Sequence, residues 1–459
     1  MTRRDLLAST FAAGFPAIVP SRVLGKAAPG NLIQVAQIGC GRIARASEIG
    51  GVLRLADTAR IVAVCDLDTV RVADAKQLIE SAYAKRFGSG SYAQVKTFAD
   101  YREMLRDKSI DAVSISTPDH WHAQPAMEAA LAGKDVYLQK PASLTIKEGR
   151  QMADAVKKSG RILQLGSQQR SAFAFRYACE LVRNGRIGKL VQIFIGLPTD
   201  PSGDREPEMP VPKNLNYEAW LGSTPLAYYT EQRVHPQTND LKTRYARPGW
   251  LRCEQFGAGM ITGWGAHHID IAHWAMGLEH SGPVRAEATA EFPKSGLWDV
   301  HGSYHVAMRY ANGATMYIGD KYPNGIRFLG ENGWIWVARG PYGPEDAAAG
   351  TRDGVLNASD PRILKEGIKD SEVRLHASPN NDHHLDWLAS IRTRQASAAP
   401  VEVGHRSCSA CLVAHAAMKI GKPLTWDPKA ERFLKNDAAN ALLERPQRKP
   451  YGASYVKTG

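Results

Sequence analysis

The chain has 459 residues, of which 44% are hydrophobic and 23% are charged, and its formal net charge is +12. This length exceeds one ordinary core and predicts two domains, and the composition is typical of a soluble globular protein. Beyond the N-terminus there is no run of about 18 apolar residues and no zinc-finger, RNA-binding or basic-helix signature, so we expect no membrane span and no nucleic-acid partner.

The first 28 residues have the pattern of an export signal. Arg3 and Arg4 precede a weakly apolar, alanine-rich run that reaches Val19, and small residues follow before a Pro-Gly turn. A charged start, a short apolar stretch and small residues are typical of secretory signals, and the paired arginines indicate the twin-arginine type. We expect an exported, periplasmic protein; the alternative is a tail that happens to hold two arginines.

Strands and helices alternate from residue 32 onward. Short apolar runs predict strands at 33–38, 60–65, 110–115, 135–138 and 162–165. Helical stretches lie between them, and Thr145 with Glu148 forms a capping box at one helix start. This alternation predicts a doubly wound parallel sheet of the Rossmann type, assigned to residues 29–160.

The pattern changes after about residue 166. Longer alternating strands at 190–197, 284–292, 302–310 and 314–318 predict an α+β domain over residues 161–459, with an open, mainly antiparallel sheet. Residues 199–245 are rich in proline, asparagine and aromatic side chains and indicate a long loop over a cleft. Cys408 and Cys411 have redox-motif spacing within a predicted helix, but packing is the better interpretation because no second pair completes a zinc site.

A candidate dinucleotide site follows the first predicted strand. Gly39-x-Gly41-x-x-Ala44 lies between a strand and a helix, where glycines allow a tight turn and close approach of the backbone, including Arg42 and Ile43, to a pyrophosphate. Asp66 ends the second strand, where a carboxylate accepts hydrogen bonds from ribose hydroxyls and repels a 2′-phosphate. These residues predict NAD rather than NADP; the alternative for Asp66 is a strand-end cap.

Four motifs together resemble those of the Gfo/Idh/MocA family, the glucose-fructose oxidoreductase and inositol dehydrogenase type. They are Gly39–Ala44, Ser116-Thr-Pro-Asp-His-Trp-His122, Gln139-Lys-Pro141 and the segment Gly257–Asp270. The resemblance covers essentially everything after the signal. It implies a nucleotide-binding domain, a C-terminal sheet domain that makes homo-oligomer contacts, and chemistry on carbohydrate or cyclitol hydroxyls.

The resemblance also implies roles for individual residues. Lys140 matches a lysine that contacts cofactor and substrate, His267 matches the active-site histidine, and Asp270 matches the acidic residue three positions later. Thr117, Pro118, His122 and Gln139 would line the nicotinamide side. An imidazole suits the removal of a hydroxyl proton, and a lysine can stabilise charge on the same oxygen. The alternatives are a solvated lysine and a core histidine bonded to Asp270.

Two positions depart from the family motifs. Gln139 stands where the family usually has Glu, and Gly263 stands where it usually has Asp. Both changes make the site less acidic, which suits an anionic or bulkier substrate. Arg244, Tyr245, Trp264 and His268 are candidate substrate-binding residues, with packing in the core as an equal alternative for the aromatic rings. The histidine pairs lack metal-ligand spacing, so we expect no metal.

These observations leave three hypotheses about function. The first is an NAD-dependent carbohydrate oxidoreductase with tightly bound cofactor, since an exported enzyme has no ready NAD pool. The second is a redox-neutral, NAD-dependent glycoside hydrolase or lyase, in which the hydride returns to the same sugar. The third, suggested by Gln139 and Gly263, is a non-catalytic sugar-binding relative.

Overall fold

The structure is a computed structural model that describes residues 32–88, 94–340 and 354–458. The predicted export signal, residues 1–28, lies outside the described residues, so its assignment stays a prediction. Two sheets with their packed helices make up most of the described part. Across these ranges, no helix has the length and apolarity needed to cross a membrane.

The first sheet has six parallel strands in the order β3-β2-β1-β4-β5-β6. They are β1 (Ile33–Ile38), β2 (Ala59–Cys65), β3 (Lys96–Phe98), β4 (Ala112–Ile115), β5 (Asp135–Leu138) and β6 (Leu163–Leu165). Strands β4, β5 and β6 are buried along their whole length, as expected for parallel strands covered on both faces. The predicted doubly wound sheet is therefore confirmed, with its strand order reversing between β1 and β4, where such folds bind ligands.

In the described part of the first half, five helices lie between successive strands of this sheet, and a sixth follows β6. They are α1 (Ile49–Arg54), α2 (Thr69–Phe87), α3 (Tyr101–Leu105), α4 (Ala123–Leu131), α5 (Ile146–Ser159) and α6 (Phe173–Arg183). A π-helical turn, Ala44–Glu48, directly precedes α1. The capping box predicted at Thr145 is present at the start of α5.

The second sheet has nine strands in the order β13-β12-β11-β7-β10-β9-β8-β14-β15, and only the β7–β10 pair among them is parallel. They are β7 (Leu190–Gly196), β8 (Arg285–Ala290), β9 (Tyr304–Arg309), β10 (Thr315–Gly319), β11 (Gly325–Gly330), β12 (Gly333–Ala338), β13 (Val355–Ala358), β14 (Leu424–Asp427) and β15 (Arg432–Phe433). The predicted open, mainly antiparallel sheet is confirmed.

Seven more helices lie in the described part of the second half, over residues 190–340 and 354–458. They are α7 (Tyr217–Leu221), α8 (Leu241–Arg244), α9 (Met260–Gly263), α10 (Gly265–Met276), α11 (His383–Thr393), α12 (Val401–Ile420) and α13 (Asp437–Asn440). Helix α12 contacts both halves of the structure. It packs on helix α5 and strand β6 of the first half, and on strand β8 and helix α10 of the second. One buried apolar core therefore extends through both halves and holds α10 against the first domain.

Candidate active site

A cleft of about 300 Å³ lies at the carboxyl ends of β1, β2, β4 and β5. Its floor is formed by the glycine loop (residues 39–44), by Asp66 and by the loop after β4. Its roof comes from the segment between β7 and β8, including Trp220 and Trp250, and from Tyr451 of the C-terminal tail. The cleft therefore lies where doubly wound sheets bind dinucleotides.

The glycine loop has the shape that a dinucleotide requires. Gly39 has φ +81°, and a Cβ there would stand 2.7 Å from the carbonyl oxygen of Ser116, so no other residue fits without rearrangement. A Cβ at Gly41 would meet only Arg71, at 3.7 Å, which leaves the backbone open to a phosphate. Arg42 and Ile43 line the same cleft. The residues present thus fit the pyrophosphate of NAD.

Asp66 is held at the end of β2 by two backbone amides. Its Oδ2 accepts a hydrogen bond from the Cys40 amide at 2.6 Å, and its Oδ1 accepts one from the Asp68 amide at 2.9 Å. Each carboxylate oxygen has a second acceptor site, and Asp66 borders the cleft. This placement is compatible with the predicted contact to ribose hydroxyls.

The three residues predicted after β4 all line the cleft. The Thr117 hydroxyl donates to the Trp121 carbonyl at 2.9 Å, and Pro118 lies beside it. Both ring nitrogens of His122 face carbonyl oxygens, with Nδ1 2.5 Å from Pro141 and Nε2 3.0 Å from Thr117. Burial lowers the pKa of His122 to about 4, so a neutral imidazole ties the loop after β4 to the loop after β5.

Lys140 lies at the end of β5, where the cleft approaches the second domain. Its Nζ donates to the backbone carbonyl of Gly263 at 2.8 Å. Position 263 is where the family motif usually has an aspartate. Burial lowers the pKa of Lys140 to about 8, while the nearby Asp119 opposes that shift. Burial also raises the pKa of Asp119 to about 7. Two side chains bordering the cleft therefore titrate near neutral pH.

The amide of Gln139 pairs with a carboxyl group that the sequence did not indicate. Its Nε2 donates to Oε1 of Glu48 at 2.7 Å. Glu48 belongs to the π-helical turn, is fully buried, and has a pKa raised to about 7 by that burial. The sequence suggested that Gln139 makes the site less acidic. The structure corrects this interpretation, because Glu48 supplies a carboxyl group beside Gln139 from another element.

His267 lies in the first turn of α10, with its ring 6.0 Å from that of Trp264. Its Nδ1 is buried and finds no hydrogen-bond partner in the described part of the chain. Burial lowers the pKa of His267 well below its usual value, and the positive charges of Arg339 and Lys140 add smaller shifts in the same direction. The imidazole is therefore neutral at physiological pH and has no carboxylate to hold a proton on it.

Asp270 is placed outside the cleft. It is fully buried, accepts hydrogen bonds from Arg170 Nε at 2.6 Å and Nη2 at 3.0 Å, and accepts a third from the Ser407 hydroxyl at 2.6 Å. All of these partners belong to the core between α10 and α12. Direct contact of Asp270 with a substrate is incompatible with this placement, so its role is to anchor the helix that carries His267.

The candidate substrate residues separate into two groups. Arg244 pairs with Asp74 of α2 at 2.6 Å, and the Tyr245 hydroxyl donates to the same carboxylate at 3.1 Å. The Tyr245 ring lies between the guanidinium groups of Arg45 and Arg71, each 4.9 Å from its centroid. These two residues lie beside the glycine loop, so the structure does not bring them together with His267.

The other two candidates lie near His267. Trp264 is half-buried beside His267 and His268. His268 Nε2 lies 2.9 Å from the Asn324 side-chain oxygen, and burial lowers the pKa of His268 to about 4. Trp264 is therefore available to a substrate, whereas His268 is held within the protein.

Three charged residues near the site were missed from the sequence. Asp119 lies inside the quoted motif after β4, which was a usable signal. Arg247 pairs with Asp200 at 2.8 Å, and Arg339 stacks over Trp264 at 5.0 Å. Nothing in the local sequence marks Arg339, because it follows a strand that was not predicted. Over residues 32–88, 94–340 and 354–458, no cluster of three or more His, Cys, Asp or Glu side chains is placed to hold a metal ion.

Comparison with protein families matches both halves of the chain. Residues 33–167 match the family described as "Oxidoreductase family, NAD-binding Rossmann fold". Residues 202–338 and 359–453 match the one described as "Oxidoreductase family, C-terminal alpha/beta domain". The predicted NAD-binding Rossmann domain is thereby confirmed.

Similarity to individual proteins is partial. The chain is 32% identical over 120 residues to levoglucosan dehydrogenase of Pseudarthrobacter phenanthrenivorans, which is 26% of this chain and 30% of that protein. It is 31% identical over 164 residues to glycosyl hydrolase family 109 protein 2 of Shewanella sp. strain ANA-3, which is 35% of this chain and 33% of that protein. These alignments span about a third of each curated relative.

Similarity to solved structures extends further along the chain. The WlbA dehydrogenase of Bordetella pertussis, solved with NADH and UDP-GlcNAcA, has a TM-score of 0.58 at 18% identity. The superposition covers 86% of this chain and 99% of that one. At this identity the two chains share the fold.

Proposed function

Because this chain belongs to the Gfo/Idh/MocA family of NAD-binding oxidoreductases, we propose that it transfers a hydride between NAD and a hydroxyl-bearing carbon of a sugar, sugar derivative or cyclitol. The observation that carries this proposal is the position of Lys140. Its ammonium borders the dinucleotide cleft on one side, and on the other it reaches the carbonyl of Gly263, four residues before His267.

When bound, NAD⁺ would supply the hydride acceptor for oxidation of a carbinol carbon held at Lys140 and His267. The hydroxyl group loses its proton at the same time, so the product is a carbonyl compound. Lys140 is the group that accepts this proton, because a pKa of about 8 leaves roughly a tenth of its amine neutral at pH 7. The nearby carboxyl group of Asp119 then stabilises the positive charge that Lys140 gains.

The neutral imidazole of His267 has a different part in this mechanism. The sequence suggested His267 as the base, but burial and, after it, the two neighbouring cations lower the pKa of His267 and make a proton on its ring unfavourable. Its buried Nδ1 lacks a partner among the described residues, and a neutral ring has one N–H to donate and one nitrogen to accept. His267 thus orients the substrate hydroxyl by a hydrogen bond, while Lys140 exchanges the proton.

The proposal includes export with the cofactor bound. The twin-arginine pattern in residues 1–28 supports export, and the roof over the cleft, with Trp220, Trp250 and Tyr451, supports slow cofactor release. A protein that retains NAD must return the hydride within the same site. Replacement of Arg3 and Arg4 by lysine, followed by fractionation of the producing cells, tests the export step; unchanged periplasmic yield would contradict it.

A redox-neutral glycoside hydrolase is the second candidate. It is supported by the roofed cleft and by the alignment with a glycosyl hydrolase family 109 protein. In such a reaction, oxidation of the sugar acidifies a neighbouring C–H bond, the aglycone is eliminated, and the hydride then returns to the sugar. Release of nitrophenol from nitrophenyl glycosides without net NADH formation would favour this candidate over the first.

The test of the main proposal starts with the nucleotide. Purified mature protein is denatured, and any released nucleotide is identified by mass and absorbance. Near-stoichiometric NAD or NADH is expected. The NAD-loaded protein is then mixed with sugars and sugar acids, and absorbance at the NADH band is followed, with Lys140→Met and His267→Ala as controls. A protein that neither contains nor binds NAD contradicts the proposal.

A further inference from the structure

Several basic side chains lie around Lys140 and His267, and Arg339 acts electrostatically on both of them. Arg247 is paired with Asp200 at 2.8 Å, and Lys140 has Asp119 near it. Arg339 has no carboxylate within ion-pair distance among the residues that the structure describes. Among the described residues, its guanidinium therefore has no carboxylate partner.

The surroundings of Arg339 fix it beside His267. Its guanidinium lies 5.0 Å above the ring of Trp264, which itself packs against His267. The side-chain amide of Gln169 lies 3.2 Å from both Nε of Arg339 and the His267 carbonyl, and both contacts are hydrogen bonds when its oxygen faces Arg339 and its nitrogen faces His267. The stem and Nε of Arg339 are thus held by the protein.

The outer end of the guanidinium is not satisfied in the same way. Its Nη2 is buried and finds no hydrogen-bond partner in the described part of the chain. A buried polar group without a partner is unfavourable, and a buried charge is more so. Such a group is retained where a ligand completes it, and the planar fork of arginine matches the two oxygens of a carboxylate.

We propose that the substrate is a sugar acid, a uronate or an aldonate, whose carboxylate binds Arg339 while its reacting hydroxyl lies at Lys140 and His267. This inference rests on the proposed function, since it names the substrate class of that site. It assigns Arg339 to the substrate rather than to the cofactor, because the glycine loop with Arg42 already serves the pyrophosphate and Arg339 lies beside His267.

The test uses NAD-loaded protein and sugars that differ in one group. D-Glucuronate, D-galacturonate and D-gluconate are each compared with D-glucose, D-galactose and D-glucitol, and binding is measured by tryptophan fluorescence and by the rise in Tm. The carboxylates are expected to bind at least tenfold more tightly than their uncharged counterparts. Arg339→Met is expected to remove that difference and to leave NAD affinity unchanged.

Two further variants separate charge from fold. Arg432→Met removes an exposed arginine at the opposite edge of the second sheet and should bind like the wild type. Arg339→Lys keeps the charge without the fork and should bind with intermediate affinity. Without ligand, the Tm of Arg339→Met should equal or exceed that of the wild type, because an unpaired buried cation is removed.

The outcomes distinguish this inference from the proposed function. NADH formation from neutral sugars as efficient as from sugar acids would overturn the sugar-acid inference and leave the oxidoreductase proposal intact. Arg339-dependent binding of sugar acids with no hydride transfer in either direction would uphold the inference and count against the oxidoreductase. Preference for D-glucose 6-phosphate over all carboxylates, loss of NAD binding in Arg339→Met, or binding of no sugar acid would each overturn the inference.

Discussion

Lys140 differs from the lysine of the family motifs in its neighbours. The carboxylates usual at positions 139 and 263 are replaced by an amide and by a glycine whose carbonyl accepts the Nζ hydrogen bond. Burial then lowers the pKa of Lys140 to about 8. A base acts in its deprotonated form, so kcat/KM for oxidation should rise with pH and level off above an apparent pKa of about 8.

Two variants test this assignment of Lys140. Lys140→Met should reduce kcat by about 10² to 10⁴, the usual contribution of a positioned base, without loss of the folded state. Gly263→Asp should move the apparent pKa upward, because a carboxylate beside the ammonium favours its charged form. Space exists for that side chain, since a Cβ at Gly263 would meet only Met260, at 3.7 Å. A pH profile unchanged by Gly263→Asp would contradict the role of Lys140.

The buried pair of Arg170 and Asp270 gives a prediction about stability rather than chemistry. Arg170 keeps its ion pair with Glu279 at 2.8 Å when Asp270 is replaced, so Asp270→Asn should lower the free energy of unfolding by about 1.5–3 kcal/mol, the usual loss for a hydrogen bond to a charged group. The measurement is urea denaturation of the purified protein. The double variant Arg170→Met/Asp270→Leu should recover part of that loss. If Asp270→Asn were as stable as the wild type but inactive, the catalytic interpretation of Asp270 would be restored.

At the scale of residues, the local sequence predicted the location of those residues whose identity is favoured by the backbone geometry. Gly39 and Asp66 could be predicted because a strand, a tight turn and a strand end require those residue types in that order. Arg339 could not be predicted, because its importance depends on Trp264 and Gln169 from distant parts of the chain. The same holds for Asp270, whose partner Arg170 is 100 residues away and turns a candidate catalytic group into an anchor.

At the scale of elements, the π-helical turn after the glycine loop contacts the end of β5, and this contact predicts how stability depends on pH. It brings Glu48 of that turn onto Gln139 at the end of β5, at 2.7 Å. Burial raises the pKa of Glu48 to about 7, above its value in an unfolded chain. The folded state therefore holds more protons between about pH 4.5 and 7, and stability falls as pH rises through that window.

A swap of the two side chains tests this contact. Gln139→Glu places two carboxyl groups together and should destabilise the protein increasingly above pH 7, where both would ionise. Glu48→Gln should instead flatten the dependence of stability on pH. The double variant Glu48→Gln/Gln139→Glu restores one amide and one carboxyl group and should regain most of the wild-type Tm. Additive effects of the two single changes would show that the contact has no energetic weight.

Elements were predictable where the hydrophobic period was regular. The five predicted strands of the first sheet are all present, because buried parallel strands appear as continuous apolar runs. Strands β11 and β12 were missed, since Gly325, Gly330 and Gly333 interrupt their alternation. Close packing requires glycine at position 330, because a Cβ there would stand 2.1 Å from the Ile187 carbonyl oxygen. The π-helical turn has no sequence signature that distinguishes it from an α-helical start.

At the scale of the whole molecule, the outer face of the second sheet predicts association of two copies. Phe194 of β7 stacks on Tyr317 of β10 at 5.4 Å, and Leu329 lies opposite Trp334 on the same face. All four side chains are half-exposed. Exposed apolar patches of this kind mark interfaces, and we propose a homo-oligomer through this sheet.

Light scattering coupled to size exclusion measures this association. Phe194→Glu places a charge in the centre of the face and should shift the protein to a smaller species. Val373→Glu alters an exposed apolar residue outside this sheet and should leave the assembly unchanged. A monomeric wild type, or an assembly insensitive to Phe194→Glu, would contradict the prediction.

The C-terminal tail connects the two domains over the cofactor cleft. The Tyr451 ring packs at 5.5 Å against Trp121 of the loop after β4, and the Gly452 amide donates to the Gln124 side chain at 2.6 Å. Tyr451 also lines the cleft, so this contact lies beside the proposed dinucleotide site.

Tyr451→Ala should therefore accelerate NAD release without changing the hydride-transfer step. An aromatic contact contributes about 0.5–1.5 kcal/mol, which corresponds to a roughly two- to tenfold faster dissociation. Dissociation is followed by dilution of protein loaded with NADH and loss of its fluorescence. Tyr455→Ala, an exposed tyrosine of the same tail that does not line the cleft, is the matched control. Equal dissociation rates in the two variants would mean that the tail does not hold the cofactor, and its retention would then depend on the segment between β7 and β8.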